Sequence, residues 1–199
     1  MNDPSPKLTR LAGAIIFFIA CIVNSTLLYA DRIYAVDAKQ SVIQGAVKYA
    51  VIGTYRARFT DCSGTVYFDR RHVQKSSVIL TIQIASIQSR FAVLDKIARS
   101  QRVLNAVLYP EAHFQSTRIE KQGKGYRATG ILTLHGVKRE ITFPCHLELS
   151  SQNKILTAHG RWVIRRKGFN IIWDKMLDRG GLVIGDDVVL NWKIVAVKN

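Results

Sequence analysis

Acidic residues are scarce in this chain of 199: 14 Asp and Glu face 29 Lys and Arg, a net charge of +15. The one adjacent acidic pair in a strand-like stretch, Asp186-Asp187, would point to opposite faces, which excludes paired-carboxylate chemistry there. Cysteine is scarcer still. Cys21, Cys62 and Cys145 form no CxxC, so no metal or thiol-redox motif is written locally. The five histidines, His72, His113, His135, His146 and His159, include no HExxH pair, and no GxSxG elbow occurs. Repeats and low-complexity tracts are absent, which argues against a solenoid. Long apolar runs are missing too. The longest uncharged apolar stretch, LAGAIIFFIACIV, covers only 13 residues (11–23), short of the roughly 20 that span a bilayer as a helix.

That stretch follows Lys7 and Arg10 and ends, after NSTLLYA, at Asp31. A short basic region, an apolar core and a small residue describe a secretory signal peptide, with cleavage after Ala30. An uncleaved anchor over 11–29 and a lipoprotein box, FIAC, ending at Cys21 are the rival readings. Export puts residues 31–199 in the periplasm or outside the cell, long enough for one domain with a sizeable core. Export also turns the positive charge away from nucleic acid, as does its scatter along strands without interleaved aromatics. An anionic membrane surface or lipid head group suits it better, and a merely solvated basic surface is equally open. Cys62 and Cys145 could pair in an oxidising compartment, but both stand at strand positions that favour a small buried hydrophobe.

From Ile33 onward the periodicity is two. SSVILTIQIASI (76–87), YRATGILTLHG (126–136), ITFPCHLEL (141–149) and DVVLNWKIVAV (187–197) each set apolar residues on one face, as half-buried strands do. KQGKG (121–125), HGVK (135–138), SSQNK (150–154) and DRGG (178–181) punctuate them, which predicts an antiparallel sandwich or barrel. FAVLDKIARSQRVLN (91–105) breaks the alternation and predicts one or two helical turns across a barrel mouth. Pro144 removes a ladder donor inside its strand, so the sheet is predicted to be bulged or imperfectly closed there, a route for a ligand. His135, beside Gly136, reads as a hairpin corner rather than a catalytic group, and His113 and His146 fall on outward parity.

IYAVDAKQS (33–41), RFTDCSGTVYFD (58–69), VILTIQIASI (78–87), YPEAHFQST (109–117), GILTLHGVKREITF (130–143) and LVIGDDVV (182–189) follow one another as in the YceI-like family, which the chain resembles over 33–197. The resemblance implies an all-β, lipocalin-like, eight-stranded antiparallel barrel that holds a polyisoprenoid or related lipid in its lumen. The chain departs from the family at Gln40, where a histidine is usual, and at Cys62, where an aromatic is usual. It keeps Asp95 but loses the surrounding run, and KGFN (167–170) keeps only Phe169. These changes bear on the ligand more than on the fold.

With that barrel in view, the residues expected to face the lumen are Val47, Phe59, Val66, Phe68, Leu80, Ile82, Ile84, Phe114, Leu132, Leu134, Ile141, Phe143, Cys145, Trp162, Phe169 and Trp192. Trp173 is a further candidate to line or plug it. Gly64, Ala128, Gly130 and Gly160 are either space for a chain or bends in strands, and the resemblance favours space. Arg99, Arg102, Arg165, Arg166 and Lys167 are expected at the rim, where they would meet a head group. Such a protein needs no catalytic residue, metal or resident cofactor. Its expected ligand is an isoprenoid (a quinone or prenyl phosphate) or a fatty acyl chain, carried, stored or sequestered. A membrane surface, a membrane redox protein and a second copy of the chain are the partners this allows. The alternative is a periplasmic interaction or stress module whose barrel is filled and whose basic surface acts on a redox or envelope partner.

Overall fold

A computed structural model describes residues 33–49, 53–172 and 184–198. The expected signal peptide with Cys21, the turn at 178–181 and Trp173 lie outside these residues. One antiparallel sheet is built from β1 (Ile33–Val36), β2 (Val42–Tyr49), β3 (Gly53–Phe59), β4 (Cys62–Tyr67), β5 (Ser77–Gln83), β6 (Ile87–Gln88), β7 (Glu111–Gln122), β8 (Gly125–Leu134), β9 (Val137–Leu149), β10 (Ile155–Arg165) and β11 (Ile184–Lys198). Among the described residues one α-helix, α1 (Ala92–Arg99), lies between β6 and β7.

The register turns these eleven segments into eight strands. β1 and β2 both pair with β11, first Tyr34↔Lys198 to Val36↔Ala196, then Val42↔Lys193 to Val47↔Val188. They are one strand interrupted at 37–41. In the same way β3 continues into β4 across 60–61, and β5 into β6 across 84–86. The strands run as a meander, and β1/β2 against β11 closes it, giving the expected eight-stranded antiparallel barrel. The interruptions are stitched to neighbouring strands. Asp37 N–H donates to Val195 O at 2.8 Å, Gln83 N–H to Asp61 O at 3.1 Å and Ile84 N–H to Pro110 O at 2.8 Å.

A meander sends alternate connections to opposite ends. At one end, called here the terminal end, lie Ile33 and the turns around 68–76, 123–124 and 150–154. Tyr34, Val66, Phe68, Leu156 and Ala196 pack there, and the Tyr34 hydroxyl donates to Asn153 O at 3.1 Å. At the other, helical, end lie α1, the 135–136 corner and residues 166–171. Helix formers make α1, and it is anchored from inside. Ala98 packs on Ala57 and Ile87, while buried Asp95 accepts from Ser89 N–H at 2.9 Å, Ser89 Oγ at 2.6 Å and Tyr55 Oη at 2.8 Å. Burial alone would raise the Asp95 carboxyl, but these bonds and the nearby Arg99 outweigh it and hold it below its ordinary value. Burial and the same carboxylate push the Tyr55 phenol up.

Candidate functional site: an apolar lumen

Alternating strands face their large apolar side chains inward, but do not fill the barrel. A cavity of about 150 Å³ remains along its axis, from Phe68, Ser76, Leu147 and Leu156 near the terminal end to Leu132, Ile141, Trp162 and Leu190 toward the helical end. An engineered apolar cavity of roughly this size stays dry and admits benzene. Leu80, Ile82, Phe114, Leu132, Ile141, Phe143, Trp162, Leu190 and Trp192 point inward yet are only half-buried, because part of their surface borders this space. Phe143 sits amid a chain of rings, with centroids 5.4 Å from Phe114, 5.6 Å from Trp192 in an edge-on contact and 6.1 Å from Trp162. Such offsets let rings pack while keeping apolar faces toward the void. Among the described residues Ser76 is the only one lining the cavity with a side-chain oxygen, and it accepts from Asp69 N–H at 2.9 Å. Nothing in the wall calls for a charged or hydrogen-bonding occupant.

Eleven of the expected lumen residues line this cavity: Val66, Phe68, Leu80, Ile82, Phe114, Leu132, Ile141, Phe143, Cys145, Trp162 and Trp192. Cys145 is an unpaired, buried thiol pushed up to about 11 by burial, and Cys62, also unpaired and buried, is raised first by burial and then by Asp61 and Asp37. Five expectations fail. Val47 shares a face with Ile43 but lies four residues nearer the helical end, beyond the void. Phe59 fills the join between wall and helix, packed with both the Ile43–Ile194 and the Ala57–Ile87 clusters. Ile84 is only 2% exposed but sits in the tight turn that interrupts its strand, which takes it off the inward alternation. Leu134 and Phe169 belong to a plug at the helical end, packed with Ile164 and Ile171.

The cavity is also lined by Ala128, expected there as space for a chain, and by Ile43, Val78, Ile119, Leu147, Leu156, Ala158, Leu190, Ile194 and Ala196, which the expected set omits. Alternation within the strands could have found most of them. The glycines are not ligand space. A Cβ on Gly130 would meet the Phe114 ring at 2.7 Å, and one on Gly160 the Trp192 ring at 2.8 Å and Pro144 O at 2.9 Å. At Gly64 a Cβ would strike the Ile79 carbonyl, so glycine there permits close strand approach.

Pro144 marks a seam. β9 pairs with β8 from Tyr126↔Cys145 to Leu134↔Val137, with Pro144 opposite Arg127 and no bulge. On its other edge β9 pairs with β10 only from Leu156↔Leu149 to His159↔His146, and the ladder stops short of Pro144. From there to the helical end, β9 and β10 share no ladder pairs. Residues 166–171 cover the gap. Buried Phe169 packs on Leu132, Leu134, Val137 and Ile141; its carbonyl lies 3.2 Å from His135 Nδ1; and Arg139 donates to the Gly168 carbonyl beneath. His135 turns the corner with φ 51° before Gly136 at φ 75°, a two-residue hairpin in which both φ values are positive, and its ring packs on Tyr109 at 4.4 Å.

The expected rim divides. Arg166 is no head-group ligand: it is 6% exposed and donates to the carbonyls of Ile171, Gly185 and Ile184 at 2.7, 3.0 and 3.1 Å, tying the plug to β11. Arg99 is spent on the carbonyls of Ile87 and Ala85 at 3.0 and 3.4 Å. Arg102, Arg165 and Lys167 are exposed at the helical end, with Arg165 4.0 Å from Asp187 and Lys167 N–H on Asp186. His113 reaches Thr81 and Glu111 on the outer surface, and His146 stacks on His159 across β9 and β10 at 5.2 Å. Among the described residues no three His, Cys, Asp or Glu side chains converge as a metal site would require, and no helix is long and apolar enough to cross a membrane.

A closed meander barrel around an apolar void is a lipocalin-like architecture. This chain belongs to the YceI-like family, whose domain matches residues 34–196. It is 39% identical over 129 residues to a UPF0312 protein of Photorhabdus laumondii, covering 64% of this chain and 67% of that one. A UPF0312 protein of Serratia proteamaculans is 38% identical over 130 residues, covering 62% and 68%. Among solved structures it is similar to Burkholderia cenocepacia BcnA, with TM-score 0.72, 24% identity and 81% and 99% of the two chains covered. A polyisoprenoid-binding domain from Saccharophagus degradans gives TM-score 0.68 at 16% identity, covering 83% and 98%. At these identities the structural likeness speaks for the fold.

Proposed function

We propose that the protein is an exported lipid-binding barrel that holds the tail of a polyisoprenoid or other long-chain amphiphile in its lumen, for transport, storage or sequestration. The observation that carries this reading is the void itself: its wall is apolar from end to end, with one satisfied hydroxyl. Transfer of a tail out of water contributes about 0.8 kcal/mol per buried methylene, so such a wall binds without any hydrogen bond. Selection of the head group falls to residues outside it, with Arg102, Arg165 and Lys167 exposed at the capped end. A quinone or prenyl phosphate would suit them. The void also weighs against the filled-barrel alternative, and the scatter of histidines and acids, with no three of them converging among the described residues, weighs against a metal-dependent enzyme.

Trp162 and Trp192 make the reading testable. A long-chain isoprenoid quinone titrated into the protein should quench tryptophan fluorescence saturably, while the same quinone without its tail should not. Phe143→Asp, which sets a charge in the middle of the wall, should abolish saturable quenching. Equal quenching by the tailless quinone, or unchanged quenching in Phe143→Asp, would overturn the lumen assignment.

A further inference from the structure

The barrel's two ends differ in what they show to solvent. The terminal end exposes charge: Arg70, Arg71, Lys75, Lys121 and Lys124 are exposed, and the nearest large exposed hydrophobe is Ile155 at 39%. The helical end exposes both charge and oil. Phe91 is 45% exposed, Val93 73%, Leu108 64% and Val107 95%, within one segment of the chain. That segment is held as a unit. Ala106 N–H donates to Arg99 O at 3.1 Å and Asn105 N–H to Ser100 O at 2.9 Å, which ties the turn preceding Val107 and Leu108 to the end of the helix. α1 turns Asp95 and Ala98 inward and so presents Val93 and Lys96, one turn apart, to solvent. Contiguous exposed hydrophobes on a rigid element mark an interaction surface.

The charges around that surface say what it meets. Between residues 90 and 108 stand Arg90, Lys96, Arg99 and Arg102 against one acid, Asp95, which is buried and bonded to Ser89 and Tyr55. Arg90 lies 5.0 Å over the Phe91 ring, so a cation and an aromatic face occupy one spot, the pairing suited to a bilayer's head-group boundary. A segment of exposed hydrophobes and cations whose one acid is buried matches an anionic lipid surface, where apolar insertion and phosphate attraction add. We propose that the helical end docks on anionic bilayers, with Phe91, Val93, Val107 and Leu108 entering the interface and Arg90, Lys96 and Arg102 meeting lipid phosphates. Docking in this pose sets the β9–β10 seam and its plug against the membrane. The proposal concerns the outer surface and stands whatever the lumen holds.

The test uses the full chain with Cys21→Ala, leaving the buried Cys62 and Cys145, and an environment-sensitive fluorophore on Val107→Cys or, separately, on Lys124→Cys at the terminal end. Vesicles of phosphatidylethanolamine with phosphatidylglycerol should shift the Val107→Cys label to the blue and let brominated acyl chains quench it, while the Lys124→Cys label stays silent. Vesicles of phosphatidylcholine should bind about tenfold or more weaker, as should anionic vesicles when Val93→Asp and Leu108→Asp are combined. Attachment through residues 1–30 alone would bring in the terminal end, where the chain enters the barrel, and light the Lys124→Cys label instead. That outcome, a silent Val107→Cys label, or equal binding to both vesicles would overturn the proposal.

Discussion

β9 has two edges with opposite fates. Along β8 its ladder is unbroken past Pro144, whereas along β10 it ends at His146. Proline has no N–H to give, so it is tolerated on one edge of a strand and stops pairing on the other. Gly160 across the seam keeps β10 close only because it has no side chain to strike Pro144 O or Trp192. A barrel closed by hydrogen bonds on seven sides is therefore closed by side chains on part of the eighth, and there the plug at 166–171 replaces the ladder. The closed edge gives the barrel its fold. The open one gives the void a boundary that can yield.

Breaking the plug should have the largest effect. Phe169→Ala empties a site that is 3% exposed and should cost about 3–5 kcal/mol in denaturant unfolding, with faster release of any lumen ligand. Arg166→Met, which leaves three carbonyls without their donor, should cost about 3 kcal/mol by the same measurement. A loss below about 1 kcal/mol in both would mean that the plug is not what closes the seam. Filling the seam from within should come next. Gly160→Val must displace the Trp192 ring or Pro144 O and should cost about 1–3 kcal/mol, with a changed tryptophan spectrum.

The helix anchor sharpens the comparison through pH. Because the Asp95 carboxyl is held below its ordinary value in the fold, its contribution is complete above the unfolded value near 4 and is lost as pH falls through the folded one. Thermal melts of the protein should therefore weaken in acid, and Asp95→Asn, costing about 1–2 kcal/mol at neutral pH, should flatten that dependence. An unchanged acid slope in Asp95→Asn would place the sensitivity elsewhere. The smallest effect is expected from Pro144→Val, which restores a ladder donor. Stability should change by less than about 1 kcal/mol, while hydrogen exchange at the β10 residues facing position 144 slows.

The sequence made the barrel legible because alternation is a local property: Leu132, Ile141, Phe143 and Trp192 each announce their face within a few residues. Where small residues interrupt, as in ILTAHGRW, the alternation fades, and Leu156 and Ala158 went unnoticed although both line the void. The seam was legible for the same local reason, one proline in a strand. The plug was not. Phe169 reaches Leu134 and Ile141 only because 166–171 folds back over a corner thirty residues earlier, and no spacing within RRKGF encodes that return. Arg166 looked like a head-group ligand because an arginine beside a turn reads as solvent-facing until its three carbonyl partners are in place.

The central claim is that the lumen is built to be occupied. Native mass spectrometry of the protein isolated from the cells that make it, followed by organic extraction of what it carries, tests that most directly. The account predicts one isoprenoid or long acyl chain per barrel, lost in Phe143→Asp. A mass equal to the bare chain that stays unchanged when a long-chain prenol or fatty acid is added would contradict it.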